Sequence, residues 1–354
     1  MPEIEQAEIS PVPPSRQHSI LIGPDGLRAG WSLIIYCVIL VALATGLRFG
    51  SLAVYKYRHG GKTPPAMQAQ KNPRAQTAKP EGPGIDILQE GSLLLVILFA
   101  AWVMSRIEKR PLGEYGLGGN SRRWPQFAQG FFWGFALISL LILFLYLGHY
   151  IVLQGFLLHG FRILKYGVAW LVFFMIVGLF EEFLFRGYIQ YTLARGIGFG
   201  AIGFWISAAL WNFGFGYVHG HNPGESPIGV FLAGFIGFIF CLSLWYTRSL
   251  WWAIGFHATW DWGESYFYGT ADSGTLAKGH LIGSHPQGSL LMSGGATGPE
   301  GSVFAIFVCL LVALVIWLTL RRERGKSTNQ ALVNPVKLVN ETGPAAQPYS
   351  SPAS

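Results

Sequence analysis

Residues Leu171–Gly187 read LVFFMIVGLFEEFLFRG: an uncharged apolar run that suddenly takes on two adjacent carboxylates, Glu181 and Glu182, and a guanidinium, Arg186. About twenty such apolar residues cross a bilayer as helix, so the run is read as a membrane helix. Ionisable groups inside such helices are costly and face a partner or a wet cavity. Glu182 and Arg186, four apart, share a helix face and are able to pair. Glu181 points about 100° away around the helix, without a built-in partner. One carboxylate is therefore a candidate for neutralisation and the other for acid–base chemistry.

The rest of the chain agrees with a membrane reading. Of 354 residues, 51% are hydrophobic and 12% charged, and the mean hydropathy is +0.39; soluble domains carry about 25% charge. The net charge of +7 does not imply nucleic acid, because most Lys and Arg flank apolar runs, as the positive-inside bias predicts. Cys37, Cys241 and Cys309 all lie within apolar runs and are read as small buried hydrophobes, with neither a disulfide framework nor a Cys-ligated metal.

Apolar length predicts an all-α, polytopic membrane helix bundle of about eight transmembrane helices, near 31–54, 88–105, 127–150, 167–190, 198–219, 227–247, 250–266 and 302–320. Residues 1–30 are a polar N-terminal segment; the run that follows is too long for the core of a signal peptide. The organisation expected is a first helix with a basic linker over 31–85, a membrane-embedded domain over 86–320 and a disordered tail over 321–354. The sixth span, with FLAGFIGFIF, is glycine-rich enough for close helix packing. With eight crossings, the basic residues of 106–123, Arg195, Arg248 and the tail share one face, expected to be cytoplasmic, with both termini inside. The 56–79 segment, with six Lys or Arg, then lies outside, against that rule.

Two further polar clusters interrupt apolar segments: FGYVH (Phe215–His219), with His221 beyond it, and HATWD (His257–Asp261), whose His257 and Asp261 share a helix face. A hairpin turning near residue 200 sets Glu181 and His219 at equal sequence distance from the turn, about 28 Å along each helix. They are thus expected to face one cavity. The same arithmetic does not bring His257 to that depth unless the sixth span is broken or tilted. His18, His59, His149, His159, His280 and His285 fall in loops or at span ends and are read as solvated or interfacial; Trp251, Trp252, Trp260, Trp262, Tyr266 and Tyr268 are read as interfacial belt and cavity wall.

In order, EEFLFR (Glu181–Arg186), FGYVH and HATWD resemble the EExxxR, FxxxH and HxxxN/D signatures of the CAAX prenyl endopeptidase family of intramembrane proteases, also called CPBP or Abi. EKRPLGEYGL (Glu108–Leu117) resembles the family's lead-in, while SLWWAIGFHATWDW and GPEGS resemble its bacterial branch. The resemblance covers roughly 106–320. It implies an integral protein of the bacterial cytoplasmic membrane, acting as an endopeptidase on a membrane-embedded or lipid-anchored peptide, with the bilayer as its other partner and no nucleic acid. It also implies the catalytic set: Glu181 as the base that activates water, His219 holding that water, Glu182 and Arg186 supporting the helix, and His257 at the developing oxyanion. Asp261 takes a place that is often Asn in the CAAX-processing relatives. An ionised Asp does not donate to an oxyanion, so Asp261 is read as orienting His257 or accepting from a water.

Two His and acidic oxygens also form a candidate zinc set, Glu181, His219 and His257. No HExxH is present and the histidines come from different segments, which favours a metal-free glutamate mechanism. The other functional classes are a non-catalytic membrane scaffold or bacteriocin-immunity protein, and, behind it, a transporter or proton relay, for which no inverted repeat is evident. The Gly/Ser-rich stretch 269–302 is expected to cap the site from the outer face.

Overall fold

The computed structural model describes residues 20–23, 26–61, 82–118, 122–198, 200–222 and 225–323; the expected tail beyond 323, most of the 56–84 linker and most of the N-terminal segment lie outside them. Helices dominate. In order they are α1 (Ala29–Arg58), α2 (Pro83–Glu108), α3 (Arg123–Leu147), α4 (Phe161–Glu181), α5 (Gln190–Ile197), α6 (Ala201–His219), α7 (Pro227–Thr247), α8 (Trp251–Asp261), the short α9 (Leu290–Ser293) and α10 (Val303–Leu320). A π-helical segment, Glu182–Ile189, joins α4 to α5, and a second, Trp262–Phe267, extends α8.

Among the described residues seven helices are long and apolar enough to cross a membrane: α1, α2, α3, the continuous Phe161–Ile197 run, α6, α7 and α10. The protein is an all-α polytopic bundle. The run expected at 250–266 is helical, α8 with 11 residues and 6 more in its π-helical extension, and is shorter than the seven. Protein surrounds much of it. Trp252, Ala253, Ile254, Phe256 and Ala258 are at most 1% exposed, and a helix that is apolar all round is a buried one.

Local chemistry sets several boundaries. Pro227 opens α7 behind an N-cap, Ser226, whose Oγ accepts from the Gly229 amide at 3.0 Å. Pro83 similarly opens α2. The same two helices stop at Lys109 and Arg248, whose φ of 56° and 57° is the left-handed turn that ends a helix.

Glycine lets α3 and α8 run side by side. A Cβ at Gly130 would strike the Trp252 carbonyl, one at Gly134 the Phe256 carbonyl, and one at Gly255 the Phe127 carbonyl. These small residues bring the backbones together, and Thr259 Oγ1 donates across the seam to the Phe131 carbonyl at 2.8 Å. α4 packs on the other side of α8, with Gly178 against Ile254 and Ala258.

One end of the bundle gathers the described chain ends, where β1 (Ile22–Gly23) pairs antiparallel with β2 (Gly26–Leu27). Arg195 reaches the Leu27 carbonyl, Arg122 pairs with Glu323, and the Leu250 amide donates to the Gly116 carbonyl. The opposite end carries small two-stranded sheets that apolar periodicity did not announce. There β3 (Ile151–Phe156) pairs antiparallel with β6 (Ile282–Pro286), from Ile151↔Pro286 to Phe156↔Ile282, and β4 (Ala271–Asp272) pairs with β5 (Thr275–Leu276). One core cluster joins α3, α7, α8 and α10 around Leu141, Ile239, Trp252 and Val312; a second joins α1, α2 and the Glu182–Ile189 segment around Tyr36, Met104, Phe183 and Tyr188.

Candidate active site

The π-helical segment starts at Glu182, directly after Glu181. Such wider turns are rare and occur frequently at functional sites. Glu182 Oε1 accepts from Arg186 Nη1 at 2.6 Å, with both side chains at most 2% exposed. The same oxygen faces His257 Nδ1 at 2.9 Å, while Glu182 Oε2 is buried without a hydrogen-bond partner. Glu181 turns the other way, its side chain 20% exposed, with Oε2 3.7 Å from His257 Nε2. Asp261 Oδ2 lies 3.3 Å from the same nitrogen. Both ring nitrogens of His257 thus face carboxylates, an arrangement suited to a ring that donates twice.

The Arg186 guanidinium is built in from several sides. Its Nε donates to Asn212 Oδ1 at 2.9 Å, and its plane lies between Phe215 and Phe240, 5.2 Å and 5.7 Å from the ring centroids. Gly237 makes the room, since a Cβ there would collide with Arg186 Nη2 and lie 2.6 Å from Asn212 Oδ1. Asn212 is held in turn by donating to the Ala208 carbonyl at 2.8 Å and to Cys241 Sγ at 3.3 Å.

His219 stands apart from this knot but shares its wall. Its ring is 4.1 Å from that of Phe215, which packs 4.5 Å from Phe185. Its Nδ1 is 3.1 Å from the Phe215 carbonyl. A carbonyl only accepts, so Nδ1 carries the hydrogen of that bond and Nε2 is left as the basic nitrogen. Glu181 is within electrostatic reach of His219, His257 and Asp261, and of Glu90 on α2.

The depth problem posed by His257 has a simple answer. α8 does not start level with the turn at 198–200. Leu250 packs instead at Gly187, where a Cβ would come within 3.4 Å of Leu250 Cδ1. His257 lies seven residues beyond Leu250 and Glu181 six before Gly187, about 10 Å and 9 Å of helix rise. The α5–α6 hairpin runs on past that level, and no break in α7 is needed.

Glu181, Glu182, Arg186, His257 and Asp261 are therefore brought together, with His219 within electrostatic reach of Glu181. The candidate zinc set of Glu181, His219 and His257 does not form a tight group: among the described residues, the three acidic or imidazole side chains whose donor atoms all lie within 4.8 Å are Glu264, Asp272 and Glu300. Asp272, Asn212 and Glu90 did not stand out in sequence, and Glu300 and Gly237 did so only within GPEGS and the glycine-rich FLAGFIGFIF. Glu264 carries a signal of its own, as a charge three residues past Asp261 in an apolar helix.

No curated protein and no solved structure matches the chain. The family model described as Type II CAAX prenyl endopeptidase Rce1-like matches residues 163–263, a stretch that contains Glu181, Glu182, Arg186, His219, His257 and Asp261. The protein is thus an integral membrane helix bundle, and residues 163–263 within it match the Rce1-like family model.

Proposed function

We propose that the protein is an intramembrane endopeptidase that hydrolyses a peptide bond in a membrane-associated protein or peptide, using a water activated by Glu181. The observation that carries this reading is the unequal fate of two adjacent glutamates. Glu182 is sealed between Arg186 and His257, whereas Glu181 keeps partial exposure beside three further titratable side chains. The Rce1-like match over the same residues supports a peptidase of the CAAX-processing kind.

Amide hydrolysis needs a base for the water, donors for the tetrahedral oxyanion and a proton for the leaving amine. Glu181 takes the proton of a water that also donates to His219 Nε2. The water oxygen bonds the scissile carbonyl carbon, and the oxyanion draws on the His257 Nε2–H, whose contacts of 3.3 Å and 3.7 Å are the looser ones on that ring. Asp261, an acceptor from the same nitrogen, orients the imidazole rather than donating to the oxyanion. Glu181 then passes its proton to the departing nitrogen as the C–N bond breaks. Glu182 and Arg186 are positioning residues that hold His257 through Nδ1. A zinc ion, were one held by Glu181, His219 and His257, would polarise the water or carbonyl at the same place; their spread beyond a tight group favours direct glutamate catalysis.

The test compares membrane peptides from cells carrying the wild-type protein or Glu181→Gln at equal folded abundance. Peptides released by the wild type should vanish in the variant. Identical peptide sets, with the cellular phenotype retained, would defeat the peptidase reading in favour of a scaffold or immunity role.

A further inference from the structure

Beyond the matched stretch, the described residues contain a second concentration of buried charge. Glu264 in the π-helical extension of α8, Asp272 at the end of β4 and Glu300 in the turn before α10 each place one carboxylate oxygen within 4.8 Å of the others. Glu264 is fully buried, and neither of its carboxylate oxygens has a hydrogen-bond partner, although the Glu300 backbone amide is near enough to act on the group. Asp272 Oδ2 receives Ser265 Oγ at 3.2 Å, and Glu300 Oε1 receives the Ser273 amide and hydroxyl, both at 2.9 Å. Among the described residues no Lys, Arg or His forms an ion pair with any of the three. The charges that do act on them add to the excess: Asp261 on all three and Glu225 on Glu300, against His257 on Asp272 alone. Burial and this crowding push the Asp272 carboxyl well above its ordinary range and that of Glu300 up to about 7.

The surroundings form a cradle. Gly298 has a φ of +119°, and a Cβ there would collide with the Ala271 carbonyl and come within 3.0 Å of Glu264 Oε1. A backbone carbonyl oxygen and an unpartnered carboxylate oxygen therefore flank one gap that only glycine leaves open.

We propose that Glu264, Asp272 and Glu300 hold a hard divalent cation of the calcium kind, which clamps the 268–302 loop onto the end of α8. The donors are all oxygen, which selects calcium, magnesium or manganese over zinc. The burial of Glu264 favours calcium, because calcium accepts irregular shells of protein oxygen, whereas magnesium keeps much of its water. The Ala271 carbonyl is the natural fourth ligand. Such a cation joins the β4–β5 hairpin and the Glu300 turn to the helix that carries His257 and Asp261. The inference stands whether or not the protein is a peptidase.

The experiment uses the full-length protein in detergent micelles, stripped with EDTA and titrated separately with calcium, magnesium and zinc chlorides. Heat of binding, thermal melting and trypsin cleavage after the exposed Lys278 in the loop are followed. Calcium should bind once per chain, raise the melting temperature and slow cleavage at Lys278. Asp272→Asn and Glu300→Gln should each weaken calcium binding by roughly tenfold or more while melting in EDTA at or above the wild-type temperature, since each removes a repelling charge. Should either variant fail to fold, the other and the calcium protection of wild-type Lys278 still decide. No calcium binding to the wild type up to about 10 mM, beyond the weakest calcium modules, would overturn the proposal. So would calcium responses unchanged in both variants, or a response to zinc alone.

Discussion

Two buried Arg–Glu pairs lie at different levels of the same bundle, and they are built on opposite principles. Near the end that gathers the described chain ends, Arg195 Nη2 meets Glu108 Oε1 at 3.0 Å, with both side chains at most 4% exposed. Tyr115 OH donates to the other Glu108 oxygen at 2.9 Å, and Arg195 also donates to Ser32 Oγ at 2.7 Å and to the Leu27 carbonyl at 3.3 Å. One positive charge meets one negative charge, and both carboxylate oxygens are used. This knot ties the start of α1 to the ends of α2 and α5. Around Arg186 the balance differs. Glu182 spends one oxygen on both Arg186 and His257, and Glu181 and Asp261 crowd the same imidazole. A closed pair holds helices together. An open one, with carboxylates in excess beside a partly exposed edge, is equipped to move protons.

Substitutions break or sharpen this contrast, and the largest effect is expected at the open site. Glu181→Gln should lower peptide release by about 10²–10⁴-fold, the usual worth of a positioned base, with the melting temperature unchanged. A loss of folded protein would instead make Glu181 a structural residue. At the closed knot the expectation reverses. Arg195→Met strands a buried Glu108 and should cost about 3–5 kcal/mol of stability, read as a fall in melting temperature or folded yield, while cleavage per folded molecule persists.

Asn212→Ala bridges the two cases, because it leaves the Arg186 Nε–H without its acceptor. A stability loss of about 1–3 kcal/mol is expected, accompanied by slower cleavage as Glu182 and His257 lose their fixed partner; unchanged cleavage would separate Arg186 from the site. The smallest effect belongs to Tyr115→Phe, which removes one hydroxyl bond to Glu108 at a cost of about 0.5–1.5 kcal/mol, with no change in cleavage.

Much of this contrast was accessible along the chain. The four-residue spacings of Glu182 with Arg186 and of His257 with Asp261 are short-range facts of the helix period, and both pairs are in contact. The hairpin count that set Glu181 level with His219 used only helix rise. It left His257 unplaced because that count took the turn near 200 as the common baseline, whereas the start of α8 is set by Leu250 lodging against Gly116 and Gly187. Apolar length likewise marked 250–266 as a span like the others, since composition does not distinguish a helix wrapped in protein from one wrapped in lipid. Asn212 looked like an ordinary residue of an apolar helix and Gly237 like one of several packing glycines, and their roles exist only where the Arg186 guanidinium arrives beside them.

The sequence by itself determined the membrane class, the ordered polar clusters and the pairs within single helices, because these follow from apolar length and a fixed rise and twist per residue. Only the tertiary structure decided which glutamate is sealed and which stays open, where His257 meets them, and that Glu264, Asp272 and Glu300 converge. Those outcomes depend on glycine-mediated approach between helices and on loop pairing, contacts between residues far apart in the chain whose energies no local pattern encodes.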